Sequence, residues 1–156
     1  MEFHLRDCQV LDTKTGELRR AELGIKDGIV VELSKLSNPK VIDLENRVVT
    51  FGLWDCHAHP GSLMYDPKNE GYFQGVPEWT VRAGKNLMDS IAVGVTGVRT
   101  TSESIGIDRA WASAFASGNF VGPRVKSSGP GLRVTGGHGT AYPKDCLLYT
   151  SDAADE

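Results

Sequence analysis

A change of rhythm at Phe51-Gly52 constrains this chain more than any other feature. Before it, short β-type runs are separated by turn residues; after it, strand-length and helix-length stretches alternate, the pattern of parallel βα units. Leu53 to His57 reads as a buried strand, followed by a Gly-, Pro- and Tyr-containing loop from Pro60 to about Pro77. Pro77 suits the first turn of a helix, Val81, Leu87, Met88 and Ile91 fall near one helical face, and Gly94 is placed to end it. Val95 to Arg99 is the next strand. Ile107, Ala110, Trp111, Ala114 and Phe115 repeat the helical spacing, Gly118 stops it, and Arg124 to Ser127 forms a third strand.

The first fifty residues predict a small antiparallel β module. Cys8 to Leu11, Ala21 to Lys26 and Ile29 to Leu33 are its runs, with a turn over Asp12 to Gly16. Asp27-Gly28 is the stronger hairpin signal, because a type I′ turn needs positive φ at both central residues. Ser37-Asn38-Pro39-Lys40 breaks the pattern before Val41 to Leu44 and Arg47 to Thr50 resume it. So few strands cover only one face of a sheet, which predicts pairing with something else in the complete protein.

Composition narrows the function classes. A net charge of -3 from interspersed acids and bases excludes the basic stripe of a nucleic-acid groove or an anionic membrane surface, leaving a small-molecule or peptide partner. The amino terminus is charged where a signal peptide is apolar, and no run approaches the roughly 20 apolar residues of a membrane span. Cys8, Cys56 and Cys146 are odd in number, widely spaced and without a Cys-x-x-Cys pair, which argues against a disulfide framework and for a reducing compartment. The expected location is the cytoplasm.

Val48 to His59 carries the chemistry. Residues two apart on a strand share a face, so His57 and His59 can present two imidazoles to one point. Neutral imidazole is a ligand for Zn²⁺ and related divalent ions, and a catalytic site keeps a coordination position open for water. An isolated His-x-His pair also occurs as two partly exposed histidines at a strand end. Here an apolar run, a Gly and an Asp precede the pair, and a Gly-containing loop follows it.

That stretch resembles the start of the barrel in the amidohydrolase superfamily, whose usual pattern is Pro-Gly-Leu/Met-Ile-Asp-x-His-x-His. Phe51 stands where the family has Pro, and Trp54 where it has Ile. Ala92 to Thr100 is similar to the family's Gly-Val-Thr-Thr-Val-Arg-Asp segment, with Thr100 in place of Asp. Gly122-Pro123-Arg124-Val125, Ser128 to Gly131 and Thr135-Gly136-Gly137-His138-Gly139 resemble the branch containing prolidase-like dipeptidases and imidazolonepropionase-like enzymes. The resemblance implies an α/β fold: the N-terminal part of a β-sandwich in residues 1–51, then the first βα units of a truncated (β/α)8 TIM-like barrel in 52–145. It also implies one or two divalent metal ions, Zn²⁺ foremost, held by His57 and His59, and hydrolysis of amide or peptide C-N bonds by a metal-activated water.

By analogy His138 contacts the substrate from a glycine-rich mouth loop, Asp55 orients a ligand without itself binding the metal, and Arg99 binds an acidic substrate group. For each, a structural alternative stands: a tight loop, a turn hydrogen bond and an ion pair. The family's catalytic Asp, two later histidines and carbamylated Lys have no counterpart here, and the complete enzyme allows a homo-oligomer. Residues 146–156 resemble the translation of a transposase adaptor used in sequencing libraries, so residues 1–145 are expected to be an inactive front fragment with a non-native tail. The competing readings are a ring-opening hydrolase of cyclic amides and a small non-catalytic α/β binding protein.

Overall fold

The computed structural model describes residues 1–62 and 74–132. Contacts divide the chain into Met1–Phe51 and Gly52–Glu156. His138 and the 146–156 tail lie outside the described residues.

In the first unit, β1 (Glu2–Leu11), β2 (Leu18–Lys26), β3 (Ile29–Val31) and β4 (Lys40–Val49) form one sheet in the order β3-β2-β1-β4. Asp27 and Gly28 both take positive φ, 51° and 81°, and join β2 to β3 as the type I′ chemistry predicts. The module is not purely antiparallel. β1 runs parallel to β4, because the chain passes through a 3-10 turn at Leu33–Lys35 and crosses the sheet before pairing again. Register slips in both strands at one place: Asp7 in β1, and Glu45 and Asn46 in β4, adopt left-handed φ there. Arg6 bridges the irregularity by donating to Asp43 Oδ2 at 2.8 Å. Cys8 sits buried beside it, its thiol donating to the Ala21 carbonyl at 3.1 Å; burial, ahead of the Asp7 and Glu22 charges, pushes that thiol up.

Glu2 ties the start of β1 to the segment leading into β4. Its carboxylate accepts from the Ser37 and Asn38 amides at 2.7 and 3.1 Å and pairs with Lys26 at 2.8 Å. The Lys26 bond and those two amides hold its pKa down at about 2. A depressed carboxylate stabilises the fold above its unfolded value and loses that contribution as pH falls through the folded one. Glu2→Gln is therefore expected to lower the urea midpoint at neutral pH, with the gap to the wild type closing as pH drops from about 4.5 toward about 2. A gap independent of pH would mean that Glu2 acts only by its shape.

In the second unit, β5 (Leu53–Ala58), β6 (Val95–Thr100) and β7 (Arg124–Lys126) form an all-parallel sheet in that order, joined through α1 (Val76–Ala92) and α2 (Ile107–Ala116). α1 starts with Pro77 in its first turn and Glu78 accepting from the Gly75 amide at 3.0 Å; Gly94 ends it at φ 84°. Its buried face differs from the predicted one. Ala83, Gly84 and Leu87 are buried, whereas Val81 is 71% exposed and Met88 36%. The cause is Trp111 on α2, whose indole occupies the space a side chain at position 84 would need and donates to the Thr80 carbonyl at 2.9 Å. Leu87 is buried as predicted, but small residues let the helices approach, so hydrophobicity alone misses Ala83 and Gly84 and wrongly includes Val81.

β5 also departs from expectation: Leu53 to His57 are exposed rather than buried. β5 is an edge strand among the described residues, bonded only to β6. The helix-side face of the sheet is covered. There Val98 and Thr100 are buried, and the Thr100 hydroxyl donates to Asp108 of α2 at 2.7 Å. On the opposite face Trp54 lies over Gly97 in the space a Cβ would fill, and Arg99 and Lys126 are neighbours in register. No helix among the described residues is long and apolar enough to cross a membrane.

Candidate metal centre

The His-x-His pair ends the edge strand. β5 and β6 slip register between Asp55 and Ala58, so Ala58 pairs with Thr100, and the Thr101 amide donates to the Ala58 carbonyl at 3.0 Å. The two rings converge on the exposed side. His57 Nε2 and His59 Nε2 stand 3.2 Å apart, with ring centroids at 5.1 Å and planes at 74°. Two nitrogens each about 2.1 Å from one ion at a near-tetrahedral angle are separated by about 3.4 Å. The pair is thus within a few tenths of an ångström of the separation needed by two ligands of one ion. Without an ion the same geometry lets one ring donate to the other.

Asp55 makes no hydrogen bond to either ring among the described residues. Its Oδ1 accepts the backbone N–H of His57 at 3.0 Å, so it fixes the His57 main chain rather than its imidazole. Thr101 Oγ1 lies 3.4 Å from His59 Nε2. Arg99 is exposed, on the sheet face opposite Val98 and Thr100, and makes no ion pair among the described residues. Cys56 is exposed with a free thiol.

Sequence reasoning missed how the loop after His59 is held. Asn86 Nδ2 donates to the Pro60 carbonyl at 2.8 Å, Arg82 Nη1 to the Gly61 carbonyl at 2.8 Å, and the Gly61 amide to Glu103 Oε2 at 3.1 Å. Arg82 and Asn86 are four residues apart on α1, a spacing that puts both on one face. That spacing was the only signal, and by itself it names no acceptor. Among the described residues no group of three or more His, Cys, Asp or Glu side chains gathers around one point.

No protein-family model matches the sequence. The chain is 32% identical to ochratoxinase of Aspergillus niger over 136 residues, 80% of this chain and 27% of that enzyme. The ochratoxinase crystal structure has a TM-score of 0.64 at 26% identity, covering 94% of this chain and 36% of the other. A solved amidohydrolase has a TM-score of 0.74 at 30% identity over 88% of this chain and 34% of the other. Its structural neighbours are members of the amidohydrolase superfamily. Among them a prolidase, solved with N-methylphosphonate-L-proline, has a TM-score of 0.78 at 28% identity over 99% of this chain and 38% of its own. The chain spans about a quarter of the length of ochratoxinase and about a third of these solved structures. A mixed α/β architecture of sheets and few helices is common to the amidohydrolase neighbours and this chain.

Proposed function

We propose that residues 1–145 are the front part of a metal-dependent hydrolase of amide or peptide C-N bonds, in the prolidase-like or imidazolonepropionase-like branch of the amidohydrolase superfamily. In this reading residues 1–51 belong to a β-sandwich, 52–145 open a (β/α)8 barrel, and 146–156 are a non-native tail. The observation that carries it is the 3.2 Å separation of His57 and His59 Nε2 at the carboxyl end of a parallel strand, where barrel enzymes gather their catalytic groups.

The donor set fits a divalent ion, Zn²⁺ first among them, because two imidazole nitrogens lie within bonding reach of one point. When bound, such an ion lowers the pKa of its water from about 15.7 to about 7 and polarises the scissile carbonyl. The remaining work falls to this chain's residues. Asp55 holds the His57 backbone, and Thr101 faces the His59 ring. Arg99 on the uncovered face is the group offered to an acidic part of the substrate, with His138 assigned to substrate contact by resemblance. The partner is a small molecule or dipeptide, the location cytoplasmic, and the reading needs neither nucleic acid nor membrane; it allows a homo-oligomer.

Sequencing the source DNA across Asp145 and Cys146 and expressing the longer frame tests this reading. The frame is expected to continue and to supply a strand-borne Lys, two further His and a late Asp. Its product should lose hydrolysis of dipeptides on chelation and regain it with Zn²⁺. An intact long product that hydrolyses amides without metal would refute the proposal, and preference for cyclic amides in the same assay would move it to the ring-opening alternative.

A further inference from the structure

We propose that Arg82, Asn86 and Glu103 are positioning residues for the metal ligands, a three-point clamp on the backbone after His59 that sets where its imidazole stands relative to His57. This rests on the metal-centre reading above. Both histidines are exposed, and His59 lies just past the end of β5, so strand pairing does not hold its main chain. Neighbouring side chains restrain its ring weakly, through Thr101 at 3.4 Å and His57 at 3.2 Å.

The restraint comes from behind. Pro60 and Gly61 are buried, and the polar groups of their main chain are taken up by side chains distant in sequence: Pro60 carbonyl by Asn86, Gly61 carbonyl by Arg82, Gly61 amide by Glu103. Two of these bonds involve charged groups, the stronger class of hydrogen bond. A Cβ at position 61 would lie 2.8 Å from Glu103 Oε1, so the carboxylate approaches as closely as glycine allows. The His59 carbonyl closes the turn by accepting from the Ser62 amide at 3.0 Å. Surface loops are ordinarily satisfied by water. Here three side chains, two from α1 and one from the segment after β6, converge on two residues directly following an exposed imidazole pair. Groups that fix a ligand's backbone act on metal affinity much as those that fix its ring do, where loss typically costs about 10- to 100-fold.

The test is a Zn²⁺ titration of the product of the longer frame, followed by the ring resonances of His57 and His59 in labelled protein. In the wild type both rings should shift together and saturate, and His57→Ala/His59→Ala should abolish the binding. Asn86→Ala and Arg82→Met should each weaken the affinity by about 10-fold or more, with β6 and β7 amide shifts unchanged and Arg82→Lys regaining most of the loss. Position 86 is an exposed helical site where alanine favours the helix, so that variant stays folded even if Arg82→Met does not. Wild-type affinity in folded Asn86→Ala and Arg82→Lys, with the double histidine variant dead, would overturn the clamp and leave the metal reading intact. A wild type whose two rings ignore millimolar Zn²⁺ would sink both.

Discussion

On the proposed metal-hydrolase reading, replacing His57 or His59 by alanine is expected to strip the divalent ion from the product of the longer frame and to lower its kcat/KM by at least about 10³-fold, while stability changes by no more than about 0.5 kcal/mol. The contrast follows from exposure. Neither ring is buried, and their hydrogen-bonding contacts are with each other and with Thr101, so little packing is lost on truncation. The proposed chemistry, by contrast, finds no substitute for a lost histidine among the described residues, whose other acids and thiols do not gather with the pair. Metal content by mass spectrometry, hydrolysis rate and thermal midpoint on the same samples check it. Full metal occupancy in either variant would remove that histidine from the ligand set, and a large fall in midpoint would make it a structural residue.

The second large effect lies at Asp108, where the expectation reverses: stability should collapse. Asp108 is fully buried at the start of α2. Its Oδ2 accepts from the Thr100 hydroxyl at 2.7 Å and the Gly129 amide at 3.1 Å, and its Oδ1 from the Arg109 amide at 2.8 Å. Thr100 in turn accepts from the Ser128 amide at 3.2 Å. One carboxylate thus joins the end of β6, the first turn of α2 and the segment leaving β7, with the helix N-terminus favouring its charge. Asp108→Ala leaves buried donors without acceptors and should cost about 3–5 kcal/mol, read as a lower urea midpoint. Asp108→Asn should cost less, since its carbonyl can still accept from a backbone amide. Equal stability of Asp108→Ala and the wild type would show that water reaches the site.

This network also involves a position where the chain differs from the motif it resembles. Where the second strand's motif has Asp, this chain has Thr100, and the carboxylate at that strand end arrives from α2. Nothing in the local sequence announces it. What was legible was what neighbours in sequence decide: the Asp27-Gly28 turn, the capping of α1 by Pro77 and Gly94, the end of α2 at Gly118, and the two histidines on one side of a strand end. What was not legible depends on distant partners. The parallel pairing of β1 with β4 needs a crossover that no turn residue marks. Val81 is apolar and so reads as buried, yet it is exposed, while Gly84 carries no hydrophobic signal although Trp111 requires it. Arg82, Asn86 and Glu103 read as ordinary solvated residues until their acceptors are known.

The parallel pairing of β5, β6 and β7 bears on how the chain acquires its structure. The β2–β3 hairpin closes over two residues and can form in roughly 1–10 μs. Each pairing in the second unit must instead close over a whole crossover helix, so its loop entropy is lost before any ladder bond is gained. During synthesis the first unit can therefore be settled while β5, exposed along its length, still waits for β6. In that interval Leu53 and Trp54 are open to pairing with another chain, which makes the rate at which α1 and β6 fold back, more than the final stability, the quantity that decides the yield of native protein.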